Sequence, residues 1–361
     1  MSGTVGTNPG RGSGTIGSSG SGITTSSSDP AVDTDPSGGV GTIFTNTTSG
    51  ETYVCSDATA GSNVWKNVGD GEGDIRPILW YGDRGLCVGG ASGGTNNTIQ
   101  YITISSLGNS TDYGNLITAK HSMGAASDGS RGVYGGGYSN ASIEYSTIAS
   151  TGDATDFGAN LPNGWRYLLT ATSNDTRAIW LGGAYPPVSH CDYVVIQTTG
   201  TATDFGDLEA AKYGLGSASN GTRAIGFGGA TPPVNTIRFF VFATTGNADD
   251  FGDLTYTGSG LEAVEDTTRA VVADTNAADS NNLEYVTMAT IGNTTAFGGL
   301  HTYQYESAGV TNITRGVWMG GKGAADPDTM QYITIASTGD AADFGDLTVT
   351  VNDYNAGCSG D

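Results

Sequence analysis

Six arginines recur through this chain at an almost constant interval. Arg84, Arg131, Arg177, Arg223, Arg269 and Arg315 are separated by 47 residues once and by 46 four times. Each opens a short apolar stretch: RGLCVGG, RGVYGGG, RAIWLGG, RAIGFGG, RAVVADT and RGVWMGG. A second signature follows every one of them, YITISSLGNSTDYGNL from Tyr101 in the first unit and YITIASTGDAADFGDL from Tyr332 in the last. Chance does not keep such a register, and an internal repeat of this length dictates architecture before any other feature.

Each unit reads as four short strands. An apolar and small segment such as YGLGSAS at Tyr213 comes first, then the strand ending in the Gly-Gly pair, then the YITIA-like strand, then a strand centred on the DFGDL-like segment. A four-stranded sheet of this size cannot bury both of its faces alone, so copies must stack. Radial stacking does this while exposing only short edges. Six units of about 46 residues from Arg84 end near the last residue, 361. Two segments compete for the first strand of the first unit, ILWYGD from Ile78 and YNAGCSGD from Tyr354, and the sequence leaves both open.

The composition agrees with many strands and tight turns. There are 59 Gly and 17 Tyr, and only 14% of residues are charged. Glycine supplies the positive φ that tight turns need, while Tyr, Val, Ile and Thr suit a pleated, half-buried surface. The formal charge of −22 repels phosphate, which argues against nucleic acid and anionic membrane as partners. Cys55, Cys87, Cys191 and Cys358 lack metal-site or redox spacing and read as free thiols. No apolar run approaches a membrane span and the first residues lack an apolar signal core, so synthesis and folding in a host cytoplasm without a signal peptide is the expectation.

The glycine doublet ending the second strand, with an aromatic later in the unit, resembles the kelch motif from Arg84 to Asp361. At the position where kelch repeats carry Trp, this chain has Tyr113, Phe157, Phe205, Phe251, Phe297 and Phe344, and the fifth unit replaces the doublet with Ala273-Asp274. The phrase-level pattern is similar to repeat proteins encoded by bacteriophages of marine cyanobacteria. The resemblance implies an all-β chain whose residues 75–361 form a six-bladed kelch-like β-propeller. Residues 1–40, rich in Gly, Ser and Thr, read as a flexible extended tail that serves as an anchor. Residues 41–74 read as a small β-hairpin module turning at Ser49-Gly50, with a third strand around Trp65, and look like hairpin modules of phage tail and fibre proteins.

The repeat arginines are expected to be structural, pairing with Asp112, Asp156, Asp204, Asp250 and Asp343. The fifth unit should differ, because Ala296 stands in that aspartate's place. The Gly-Asp/Asn-x-x-Asp stretches lack a full calcium ligand set and read as turn caps. His121, His190 and His301 occupy different repeat positions and share no nucleophile, and no catalytic motif appears in a suitable context. No catalytic residue, metal site or cofactor is therefore expected. The loops between second and third strands vary most, and variable loops on a rigid scaffold carry recognition. Tyr138, Tyr185, Pro186, His190 and Pro232 are the candidate contacts there.

These readings converge on a phage virion structural protein rather than an enzyme. The expectation is a tail or head fibre whose propeller contacts a host-surface receptor, a glycan or else a protein, and whose tail docks on other virion proteins in multiple copies. A capsid or tail decoration protein is the structural alternative. A polysaccharide-degrading enzyme is the alternative from another class, and it would need two carboxylates together on one face.

Overall fold

The computed structural model describes residues 23–68, 81–162, 164–273, 281–323, 326–351 and 354–361. The chain is all-β and divides into two compact units, residues 1–78 and 79–361.

The first unit contains one four-stranded sheet in the order β1 (Thr24–Ser26), β2 (Ile43–Asn46), β3 (Thr52–Asp57), β4 (Val64–Asn67). The strand pair β2–β3 turns around Ser49-Gly50, where Gly50 has φ +81°. Alternation along β2, β3 and β4 sends Phe44, Tyr53, Cys55 and Trp65 to one face, where they form a small core. The anticipated boundary at residue 40 is corrected here. β1 pairs parallel to β2, Pro30 and Pro36 are buried, and the Asn63 backbone N–H donates to the Val32 carbonyl at 2.7 Å. Thr24–Ser26 belong to the sheet, and the loop that follows them is held to it at Val32, because β2 and the Asn63 loop give backbone partners that a Gly/Ser-rich segment lacks alone. The rest of the tail, residues 1–22, lies outside the described residues.

The second unit contains six four-stranded antiparallel sheets among the described residues. From innermost to outermost strand, the first has Ala356–Gly360, Arg84–Val88, Thr98–Thr103 and Thr111–Asn115. The second has Gly124–Ser127, Arg131–Gly135, Ser142–Thr147 and Thr155–Asn160; the third has Thr170–Ser173, Arg177–Leu181, His190–Val195 and Thr203–Asp207. The fourth has Gly216–Ser219, Arg223–Phe227, Val234–Val241 and Asp249–Gly258. The fifth has Ala263–Glu265, Arg269–Ala273, Asn282–Thr287 and Thr295–Gly299; the sixth has Ala308–Thr311, Arg315–Met319, Thr329–Thr334 and Ala342–Asp346.

The competition for the first inner strand is resolved in favour of the C-terminus. Ala356 to Gly360 pair with Val88 to Arg84, so the last residues complete the first sheet. Ile78 to Trp80 of the competing segment lie outside the described residues. Tyr81 and Gly82 run past that strand instead, and the Tyr81 hydroxyl donates to the Ser219 carbonyl of the fourth sheet at 3.1 Å.

Every innermost strand is preceded by a residue in the left-handed region: Ser122 (φ +58°), Leu168 (+55°), Gly214 (+65°), Gly260 (+72°), Glu306 (+55°) and Tyr354 (+52°). These six are tied in sequence by their own backbones. The N–H of Leu168 donates to Ser122 O, Gly214 to Leu168, Gly260 to Gly214 and Glu306 to Gly260, at 2.7 to 3.0 Å. Ser122 N–H donates to Tyr354 O at 2.8 Å, joining the last segment to the earliest. Hydroxyls repeat the linkage five residues further on. Ser173 Oγ donates to Ser127 O, Ser127 Oγ to Ser359 O and Thr311 Oγ1 to Glu265 O.

The repeat aromatics of the outer strands are buried. Phe157, Phe205, Phe251 and Phe344 are at most 2% exposed, and Phe157 packs with Trp180 and Val194 of the following sheet. The glycine doublets have their own reason. Gly182 and Gly183 have φ +56° and +123°; a Cβ on Gly182 would lie 2.4 Å from the Lys212 carbonyl, which accepts the Gly183 N–H at 2.8 Å.

The arginine–aspartate pairing is overturned. Asp112, Asp156, Asp204, Asp250 and Asp343 sit on outer strands with exposed side chains. Each arginine instead lies over the third-strand ring of its own sheet, Tyr101, Tyr145, Tyr193, Phe239, Tyr285 or Tyr332, at 4.2 to 5.0 Å. Its Nη1 then donates to carbonyls at the end of the next sheet's third strand, as from Arg131 to Ile196 O at 3.0 Å. Arg315 of the sixth sheet reaches Ser105 O of the first at 2.8 Å. A guanidinium tolerates ring stacking and carbonyl acceptors together because its charge is planar and delocalised. The fifth unit does not depart here, since Arg269 stacks on Tyr285 and donates to Ala336 O at 2.7 Å.

Candidate functional site

The segments that enter the innermost strands and the loops between second and third strands lie against each other. The isolated pairings Tyr167 with Ala184, Tyr213 with Ala230 and Tyr305 with Lys322 stitch them together. Beneath them, each sheet buries a polar group at one repeat position of its third strand, and the solutions differ. Glu144 pairs with Lys120 at 3.1 Å and Asp192 with Arg166 at 2.5 Å, in both cases with the two side chains almost wholly buried. Arg238 reaches Glu209 at 2.7 Å. Gln331 bonds Gln304, while Glu284 and Gln100 are met by the hydroxyls of Thr294 and Ser110. Burial raises the Asp192 carboxyl against the opposing pull of Arg166. Burial likewise lowers the Lys120 ammonium against Glu144. These pairs anchor the loops from below.

On the solvent side of this layer a tract of rings runs across neighbouring sheets. Tyr185 stacks on Trp165 with centroids 4.7 Å apart and planes at 18°. Trp165 also stacks on Tyr167 at 6.2 Å, and Tyr138 meets Trp165 and Tyr167 edge-on at 5.6 and 5.7 Å. His121 stacks on Tyr138 at 5.5 Å, and its other neighbour is Tyr354 at 6.0 Å. Lys322 Nζ caps the Tyr354 ring at 4.2 Å and pairs with Glu306 at 3.0 Å. Tyr185 and Tyr138 remain 67% and 51% exposed. Packing of the sheets alone gives no reason to gather so many rings at the surface.

Of the five candidate contacts, the structure brings Tyr138 and Tyr185 into one surface through Trp165. Pro186 is exposed beside Tyr185 in the same loop. His190 and Pro232 are exposed as expected, but no ring contact joins them to the tract among the described residues. His190 Nδ1 lies 3.1 Å from Asp207 Oδ1, and the Pro232 carbonyl accepts from Lys212 Nζ at 3.0 Å. The sequence reading missed Trp165, Tyr167 and Tyr354, and took His121 for a chance residue. Trp165 was findable: it stands alone in a connection whose counterparts in the other units carry no tryptophan.

The tract ends at a central recess that residues of all six inner segments line, among them Ser122, Leu168, Gly214, Glu262, Glu306 and Tyr354. A second recess shares Ala125, Ala171, Glu262 and Gly357 with the first and is lined in part by Tyr81. Five of the six inner strands place a hydroxyl at the fifth position after the left-handed residue: Ser127, Ser173, Ser219, Thr311 and Ser359. The fifth sheet places Glu265 there and adds Glu262, where the others have Gly, Thr or Ala. Burial pushes the Glu262 carboxyl up to about 8, opposed by the Gly309 N–H that it accepts. Burial also raises Glu265, with Glu262 and Asp266 adding to the effect. Both carboxyls are therefore held toward their neutral, donating form. Cys87, Cys191 and Cys358 are buried thiols raised by desolvation to about 12, hence inert. Among the described residues no group of three or more His, Cys, Asp or Glu is placed to hold a metal ion. No protein-family model and no curated protein sequence matches the chain, which leaves the aromatic face and the recess as the guide to what it does.

Proposed function

We propose that residues 79–361 form a closed six-bladed β-propeller of kelch-like type, and that this propeller is the receptor-binding head of a phage virion appendage. The run of backbone bonds from Tyr354 through Ser122 to Glu306, completed by the reach of Arg315 to Ser105, supports the closed ring. The observation that carries the binding role is the solvent-facing tract of Tyr185, Trp165, Tyr167, Tyr138 and His121 on otherwise repetitive scaffolding. Exposed aromatic edges bordered by hydroxyl and amide groups suit carbohydrate, whose C–H faces and hydroxyls need both. With a charge of −22 the protein repels polyanions, so the preferred receptor is a neutral host-surface glycan. The protein is not an enzyme on this reading, and the first unit, residues 1–78, anchors the head to other virion proteins.

The test is binding of the labelled protein to host cells and to extracted surface polysaccharide, with wild type beside Trp165→Ala and Tyr185→Ala. Both substitutions should cut binding at least tenfold while leaving thermal unfolding of the second unit almost unchanged. Undiminished binding by both variants would remove the aromatic face from the function.

A further inference from the structure

The central recess has walls unlike the rest of the molecule. Around it stand two carboxyl side chains, Glu262 and Glu306. Asn355 adds an amide. Its Nδ2 is held by Met319 O at 2.9 Å and lies 3.0 Å from Cys87 Sγ. Its Oδ1 is buried without a partner among the described residues. A neutral carboxyl donates and accepts while the free amide oxygen accepts, so a ligand that matches carries hydroxyls, which do both.

Only the fifth sheet places glutamates here, and each makes a single backbone contact, Glu262 with the Gly309 N–H and Glu265 with Ser219. Five sheets manage with Gly, Ala, Ser or Thr at the equivalent positions, and those hydroxyls already satisfy neighbouring carbonyls. Placing carboxyls on a largely desolvated wall costs stability, and packing alone does not repay it. Position adds a further constraint. Tyr354 belongs both to the recess lining and to the aromatic tract, so a molecule lying on the tract would have its end at the mouth.

We propose that the recess seats the terminal unit of the glycan whose chain lies along the tract, with Glu262 and Asn355 as the groups that bind its hydroxyls. This rests on the glycan reading above and adds end-on recognition to it. The propeller then reads chain ends rather than chain interiors. It would engage a surface polysaccharide at its outermost sugar.

The experiment uses the full chain and three probes: neutral monosaccharides, linear neutral oligosaccharides of two to six units, and a cyclic oligosaccharide, which has no end. Binding is read by calorimetry and by ligand-observed saturation-transfer NMR. Glu262→Met keeps the volume and removes the acceptors, and loss of a buried carboxyl should leave the fold at least as stable. Wild type is expected to bind linear probes at least tenfold more tightly than the cyclic one. Glu262→Met should lose that preference and the monosaccharide signal, while its weak cyclic binding stays unchanged. Asn355→Asp is the second variant, and a change in which sugars are preferred is expected from it. Equal affinity of wild type and Glu262→Met for linear probes overturns the recess while leaving the tract standing. No binding of any probe by wild type overturns both readings. Saturable binding of calcium or sodium, abolished by Glu262→Met and unaffected by sugars, would make the recess a cation site and overturn the proposal.

Discussion

Replacing Glu262 by Gln should change how stability depends on pH, and the change can be worked from the recess. The carboxyl titrates near 4.5 in the unfolded chain and at about 8 in the fold, where burial favours its neutral form. A folded-state value raised above the unfolded one gives stability that is fully present below 4.5 and is lost as pH rises through about 8. At about 1.36 kcal/mol per pH unit, the interval between those two values sets a ceiling of about 5 kcal/mol. The recess is open to water and the side chain is half-buried, so roughly half of that is the expected loss. For the 283 residues of Leu79 to Asp361, an unfolding entropy of about 2.1 cal/mol/K per residue converts ~2.5 kcal/mol to about 4 °C. Calorimetry of wild type and Glu262→Gln at pH 4, 6.5 and 9 is the assay. The two should melt together at pH 4, and the variant should melt about 4 °C higher at pH 9. Taking the difference between variant and wild type cancels the general repulsion of a strongly acidic protein. A difference that does not grow with pH would refute the argument that burial holds this carboxyl neutral.

Three further outcomes follow from the packing. Phe205→Ala should cost about 3–5 kcal/mol by denaturant titration, because the ring is 2% exposed and sits between two sheets. Arg223→Ala should destabilise by about 2 kcal/mol through loss of its stack on Phe239 and its bond to Met288 O, while Asp204→Asn should stay within about 0.5 kcal/mol. A matching loss in Asp204→Asn would restore the ion-pair reading rejected above. Lys120→Met should cost about 3 kcal/mol by stranding Glu144, and the double variant Lys120→Met/Glu144→Gln should recover most of it in a mutant cycle.

The repeat interval determined a great deal by itself: the number of units, their four-stranded pattern, and the burial of Phe157, Phe205, Phe251 and Phe344. These are local and periodic properties, written in spacing and alternation, so a linear reading reaches them. The roles of the arginines were not legible in that way. Spacing placed an arginine and an aspartate in every unit, but only the sheet decides that the aspartate faces water while the guanidinium reaches the next unit's carbonyls. The closing strand was similarly undecidable, because Ile78 to Gly82 and Tyr354 to Asp361 carry the same kind of pattern, and the choice depends on pairing between Arg84–Val88 and residues about 270 positions later.

The aromatic tract and the recess belong wholly to the tertiary structure. Trp165, Tyr138, His121 and Tyr354 are scattered over more than 230 positions and fall at different places in their repeats. Single departures from a repeat look like noise in sequence. Packing the units side by side brings those departures onto one surface, and Glu262 becomes exceptional only when five neighbouring inner strands show what ordinarily stands in its place. Periodicity specified the scaffold because every copy must satisfy the same contacts. The site arose where individual copies are released from them, and only the folded chain shows which of those residues meet.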